Sequence, residues 1–109
     1  MPRVTKTKKA STAPARATSF EAPVAKAFGE VVRALRARTG LAQDRFALVV
    51  EVDRSYFGKL ERGERQPSLA LLLRVARGLG VKGSELVELT ESAIERNRRA
   101  RSRPRREIA

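Results

Sequence analysis

The sequence contains no cysteine and no histidine. Those two absences together exclude disulfides, thiol nucleophiles, imidazole bases and the usual zinc ligand sets. No apolar run approaches the roughly 18 residues of a membrane span. The opening stretch, Met1 to Thr18, is basic and lacks the apolar block of a secretory signal. These absences lead to the expectation of a soluble, cytoplasmic protein without metal or cofactor. No catalytic constellation is visible either. Glu85 with Glu88, and Glu91 with Glu95, are spaced to share helix faces, but no nucleophile or metal ligand accompanies them. They read as solvated helix charges, and the chain is not expected to be an enzyme.

What the sequence does have is positive charge. Lysine and arginine total 24 against 12 acids, a net +12 over 109 residues. The excess is spread evenly in number: residues 1–21 hold five bases and one acid, 22–90 twelve and eight, 91–109 seven and three. Each segment therefore carries +4, densest in the two short ends. Such a field favours polyanions, of which nucleic acid is the commonest. Charge alone does not separate DNA from RNA or from an anionic membrane surface.

The length suits one domain. Beyond Met1, residues 1–18 have a single large apolar side chain, Val4, too little to offset the entropy of ordering, so residues 1–21 are expected to form a flexible basic arm. Residues 91–109 read as an arginine-rich, partly helical tail that stops at Pro104. Between them, residues 22–90 carry helical periodicity throughout and no period-two run long enough to demand a strand. Pro23 opens a first helix with Val24, Phe28, Val31, Val32 and Leu35 on one face, closed by Gly40. A second runs from Gln43 to Val50 with Phe46, Ala47 and Val50 inward. Asp53 caps a third, which ends at Arg62 before Gly63 and buries Phe57 and Leu60. Pro67 and Ser68 open a fourth, whose Leu69, Leu72, Leu73, Ala76 and Leu79 form a wide stripe. A fifth starts near Lys82 to Ser84 with Leu86, Val87 and Leu89. The fold class is all-α, five short helices.

The second and third helices, separated by Glu51, Val52 and Asp53, fit a helix-turn-helix. That motif needs a small residue where the helices touch, an apolar residue in the turn and apolar anchors in the second helix. Ala47, Val52, and Phe57 with Leu60 supply them. From Phe28 to Leu89 the chain resembles the phage-repressor and Cro-like, or XRE-type, helix-turn-helix regulators. The likeness rests on FGEVVRALRARTGLAQDRFA in the first two helices and RSYFGKLERGERQPSLALLLRVARGLGV in the third and fourth. Most specific is the L-E-R-G-x-R-x-P run from Leu60 to Pro67, at this distance from G-L-x-Q at 40–43.

The resemblance implies a five-helix repressor-like domain that binds double-stranded DNA with its third helix in the major groove. It gives Arg54, Ser55 and Lys59 to base edges, where arginine suits guanine O6 and N7. It gives Gln43, Arg62, Arg65 and Gln66 to backbone phosphates, which position the protein without reading sequence. Tyr56 either packs or donates to a phosphate. Arg36 and Glu61 match an ion pair tying the first helix to the end of the third. Three positions depart from the family pattern. Glu51 stands where glycine is usual because the backbone tends toward positive φ, Ala42 replaces a hydroxyl cap before Gln43, and Gly58 sits mid-helix. Each costs up to about 1 kcal/mol.

Two further features are weighed. Gly78-Leu-Gly80-Val-Lys-Gly83 matches a dinucleotide fingerprint, but it follows a helix rather than a strand and reads as the joint between two helices. Leu48, Val49 and Val50 exceed what the second helix must bury, so one or two could face a partner. The leading expectation is a transcriptional regulator, a repressor, acting as a homodimer, with the fifth helix around Ala93 and Ile94 as the dimer surface. The alternatives are a DNA-binding antitoxin or accessory subunit of a two-protein complex, and an RNA or polyanion binder driven by the tails.

Overall fold

A computed structural model describes residues 19–102. The expectations for residues 1–18 and for 103–109, including the stop at Pro104, lie outside the described residues. Five helices follow one another: α1 Ala22–Thr39, α2 Gln43–Val49, α3 Arg54–Glu61, α4 Leu69–Leu79 and α5 Gly83–Ser102. None of the described helices is long and apolar enough to cross a membrane.

Local chemistry sets the ends. Pro23 lies in the first turn of α1, where its missing N–H is no loss, and Gly40 closes that helix in the left-handed conformation. The carboxylate of Asp53 accepts from the Tyr56 N–H at 3.0 Å, and the Ser68 hydroxyl accepts from the Leu71 N–H at 3.1 Å. These caps start α3 and α4 and satisfy donors that a helix terminus otherwise leaves free. Ala42, by contrast, caps α2 with no side-chain bond.

The core is built where all five helices converge. Phe28 and Val32 of α1, Phe46 of α2, Phe57 and Leu60 of α3, Val75 of α4 and Leu86 of α5 are fully buried. The rings of Phe46 and Phe57 lie 5.3 Å apart, tilted by 41°, which fastens α2 to α3 across the turn. Ala47, also buried, lets the two helices approach, and Val52 packs against the core between them. Gly29 does the same for α1 and α3. A Cβ there would stand 2.5 Å from the carbonyl oxygens of both Leu60 and Glu61, so only glycine allows α1 to lie this close to the end of α3.

Three expectations change. The α4 stripe is narrower than the periodicity suggests: Val75 and Ala76 are buried and Leu72 and Leu79 pack partly, whereas Leu69 is 70% exposed and Leu73 45%. Leu69 is the first residue of the helix, and Leu73 stands about 100° around the axis from Leu72, so neither points at the core. On α5 only Leu86 of the expected trio is buried; Val87, about 100° around the axis from it, is exposed, and so is Leu89. Ala93 is fully buried in the chain's own core and so is not a surface for a second copy. The helix itself runs on to Ser102. Thr90 and Ala93 are buried, and Asn97 donates to Glu30 of α1 at 3.1 Å.

Candidate nucleic-acid interface

Position 51 is where the sequence pattern asks for glycine, and Glu51 is the only non-glycine residue with positive φ among those described, at 57°. The strain is small, about 1 kcal/mol, and the turn is held from several sides. Val52 N–H donates to the Ala47 carbonyl at 2.9 Å, Glu51 N–H to Leu48 at 3.1 Å, and Arg74 of α4 to the Glu51 carbonyl at 3.3 Å. This braced turn sets α3 against α2 with the N-terminal end of α3 outward.

Between the two helices runs a shallow groove of about 450 Å³, lined by Gln43, Asp44, Arg54, Ser55, Gly58 and Arg62. Arg54 and Ser55 are exposed at the start of α3. Lys59 lies one turn on and is half-buried. Tyr56 is half-buried and packs on the core cluster. Gly58, a penalty on propensity alone, has a physical reason. A Cβ at this buried position would lie 3.1 Å from Arg62 Nη1 and 3.3 Å from Gln43 Oε1, so its absence leaves room for both polar ends.

Beneath the groove sits an ionic cluster. Arg36 Nε donates to Glu61 Oε2 at 2.6 Å and Nη2 to Oε1 at 3.0 Å, a bidentate pair, while Nη1 donates to the Leu41 carbonyl at 2.9 Å. Gln43 Nε2 adds a third donor to Glu61 Oε1 at 2.7 Å. The Glu61 side chain is wholly buried, so these bonds are what make its charge tolerable. The hydrogen bond to Glu61 holds the Arg36 pKa above its ordinary value despite partial burial. The cluster clamps α1, the start of α2 and the end of α3 into one geometry. Gln43 therefore holds Glu61 with one of the two hydrogens its amide can donate.

The groove's own charges are paired differently. Arg54 Nη1 stands 3.7 Å from Asp44, with both side chains mostly in solvent. Arg62 donates to Glu64 at 2.9 Å, again half-exposed. Hydrogen bonding to Glu64 raises the Arg62 pKa, and the bond from Arg62 lowers that of Glu64. Pairs this exposed contribute little to stability and exchange readily. Arg65 is exposed and touches the Glu64 carbonyl. Gln66 is engaged within the chain: its Oε1 accepts from the Glu21 N–H at 2.9 Å and its amide donates to the Ser19 carbonyl. Two residues near these were not singled out from sequence. Asp44 partners Arg54, and Lys26 has its backbone against Gly63. No local pattern links positions 44 to 54 or 26 to 63, since both are tertiary contacts.

The comparisons with known proteins converge on this region. Residues 27–89 match a family described as a helix-turn-helix domain. The control protein C.MunI from Mycoplasma sp is 40% identical over 60 residues, covering 54% of this chain and 81% of that one. The crystal structure of the restriction-modification controller protein C.AhdI from Aeromonas hydrophila superimposes with a TM-score of 0.55 at 40% identity. It covers 57% of this chain and 94% of that chain. The clp gene regulator ClgR from Corynebacterium glutamicum gives a TM-score of 0.61 at 27% identity, over 65% of this chain and 91% of that one.

Proposed function

The chain belongs to the helix-turn-helix family of DNA-binding transcriptional regulators, and from that premise we propose that it reads a specific double-stranded operator with α3 in the major groove and acts there as a repressor. The supporting observation is that the N-terminal end of α3 offers Arg54 and Ser55 to solvent while Phe57, Leu60 and Glu61 lock its opposite side into the core. A helix that is rigid behind and polar in front can enter a groove about 12 Å wide without rearranging. Arg54, Ser55 and Lys59 carry base contacts in this reading. Gln43, Arg62 and Arg65 carry phosphate contacts, and Arg62 leaves Glu64 to make its own. Tyr56 supports the helix, and Gln66 holds the chain's N-terminal approach rather than a phosphate.

Dimerisation belongs to the same proposal. Leu69 and Leu73 are exposed on α4, Gly83 packs against the Leu73 side chain, and Leu72 and Val87 line one apolar cavity of about 330 Å³. This α4–α5 surface, with Ile94 of the expected pair lining the cavity and only Ala93 withdrawn into the core, is the proposed contact with a second copy. The resulting regulator is cytoplasmic, with two half-sites about one DNA turn, roughly 34 Å, apart.

Selection of bound sites from a random duplex pool tests this reading. A recurrent two-part site is expected. Retention of the pool without enrichment of any sequence would refute base reading.

A further inference from the structure

Asp44 is the one acid among the six residues that line the groove, where it lies with the cations of Arg54 and Arg62. A carboxylate on a face that meets a polyanion repels every phosphate brought near it, so its place there calls for a compensating role. It stands in the first turn of α2, next to Gln43, the proposed phosphate contact, and its side chain is mostly in solvent. An acid at a helix start is favourable in itself. That accounts for its charge but not for its partner. Asp44 Oδ2 lies 3.7 Å from Nη1 of Arg54, on the other helix of the motif, and among the described residues Asp44 is the one ion-pair partner Arg54 has.

That separation is within ion-pair range and longer than a hydrogen bond. The acid draws the guanidinium toward the α2 side of the groove and leaves its N–H donors free. A guanidinium has five of them in one plane. They suffice for both acceptors of a guanine edge, O6 and N7, with a further N–H still facing the carboxylate. A phosphate makes a different demand. Its full negative charge competes with Asp44 for the same cation, and where it wins, an unpaired carboxylate is left beside it. Breaking so exposed a pair costs little by itself; the added repulsion is what separates the two acceptors. Guanine is uncharged, so Arg54 can serve it and the acid together.

Resting on the operator-binding reading above, we infer that Asp44 is a specificity-determining residue: it holds the Arg54 guanidinium for a guanine edge and makes the same arginine a poorer partner for phosphate. Sequence preference then comes in part from weakened binding to the wrong sites. Asp44 is a positioning residue, and Arg54 makes the contact.

The test measures base preference with the full chain. Arg54→Ala first identifies the base pair that Arg54 reads, as the position whose preference disappears. Asp44→Asn, Asp44→Ser and Asp44→Glu are then compared with wild type on the operator, on that operator changed at this pair, and on random duplex. Circular-dichroism melts check each fold. In the two neutral variants random duplex binds about 3- to 5-fold more tightly, the scale of one exposed charge pair, and the operator gains no more than about 2-fold. The penalty for changing the base pair of Arg54 shrinks by the same few-fold, while penalties at other positions stay as in wild type. Asp44→Glu, which keeps the charge, keeps the penalty. In an Arg54→Ala background, Asp44→Asn leaves the ratio of operator to random binding unchanged. Equal gains on operator and random duplex, with every base preference intact, would reduce Asp44 to a repulsive charge and overturn the inference, as would a ratio that still falls without Arg54. Uniformly weaker binding with a lowered Tm would leave Asp44 only its place at the helix start and overturn it too. In each of these cases operator reading stands. If wild type itself prefers no sequence, the operator reading fails and takes this inference with it.

Discussion

Two sets of ion pairs lie within a turn or two of each other in this molecule, and they behave as different materials. Arg36, Glu61 and Gln43 form a closed cluster around a wholly buried carboxylate, with bonds of 2.6 to 3.0 Å. Arg54 with Asp44, and Arg62 with Glu64, join the same residue types at the surface, at 3.7 and 2.9 Å. The inner set cannot change partners without leaving a charge stranded, so it fixes geometry. The outer set is half or more exposed to solvent, and a phosphate or a guanine edge can replace its acid at little cost. A nucleic-acid reader needs both: a helix that does not move, and cations that can let go.

Breaking the inner set has the largest expected effect. Glu61→Ala should lower the unfolding free energy by about 3 kcal/mol, seen as a fall of roughly 12 °C or more in Tm. A change of only a degree or two would mean that the cluster does not hold α1 to α3. In the outer set, Arg54→Ala should leave Tm unchanged but erase discrimination at one base pair, worth about 1–3 kcal/mol in competition between matched and mismatched operators. Arg65→Ala should weaken matched and random DNA alike, with a salt slope shallower by about 0.9. Equal losses from Arg54→Ala on operator and random DNA would show that its role is positional instead.

The smaller effects sharpen the contrast. Glu51→Gly relieves the one positive φ borne by a side chain among the described residues and should add up to about 1 kcal/mol of stability; a loss would place a stabilising role in the Glu51 side chain. Glu64→Gln frees Arg62 and should tighten DNA binding by a few-fold. The direction follows from the pair itself. Bonding from Arg62 holds the Glu64 carboxyl below its usual value, so the competing pair stays formed through the neutral range and is lost only as pH falls through that lowered value. The affinity of the Glu64→Gln variant should accordingly differ from that of wild type at neutral pH. No difference would mean that Arg62 does not engage DNA.

Much of this was legible in the sequence because it is local. Asp53 as a cap, Gly40 as a stop and the inward faces of α2 and α3 follow from residue type and spacing alone. The positive φ at Glu51 was legible through family resemblance, since the rest of the turn demanded it. Exposure of Leu69, Leu73, Val87 and Leu89 was not, because periodicity places residues around an axis but does not say which other helix covers them. Nor was the use of Gln43 and Gln66. Their partners lie 18 and 45 or more positions away, and a glutamine's two amide ends carry no sequence mark of which acceptor they will meet. The distinction between the two ion-pair sets is likewise tertiary, being set by burial rather than by residue type.

The absence of native cysteine gives the most direct measurement. A single thiol introduced by Ser55→Cys, and in a separate chain by Ser92→Cys at an exposed α5 position outside the proposed contact with a second copy, can each carry a tethered DNA-cleaving group on the operator complex. The account predicts strand cuts confined to a few nucleotides inside each half-site from position 55, and none there from position 92 on the far helix. Cuts from 92 with silence from 55 would show that the face presented by α3 is not the one that meets the DNA.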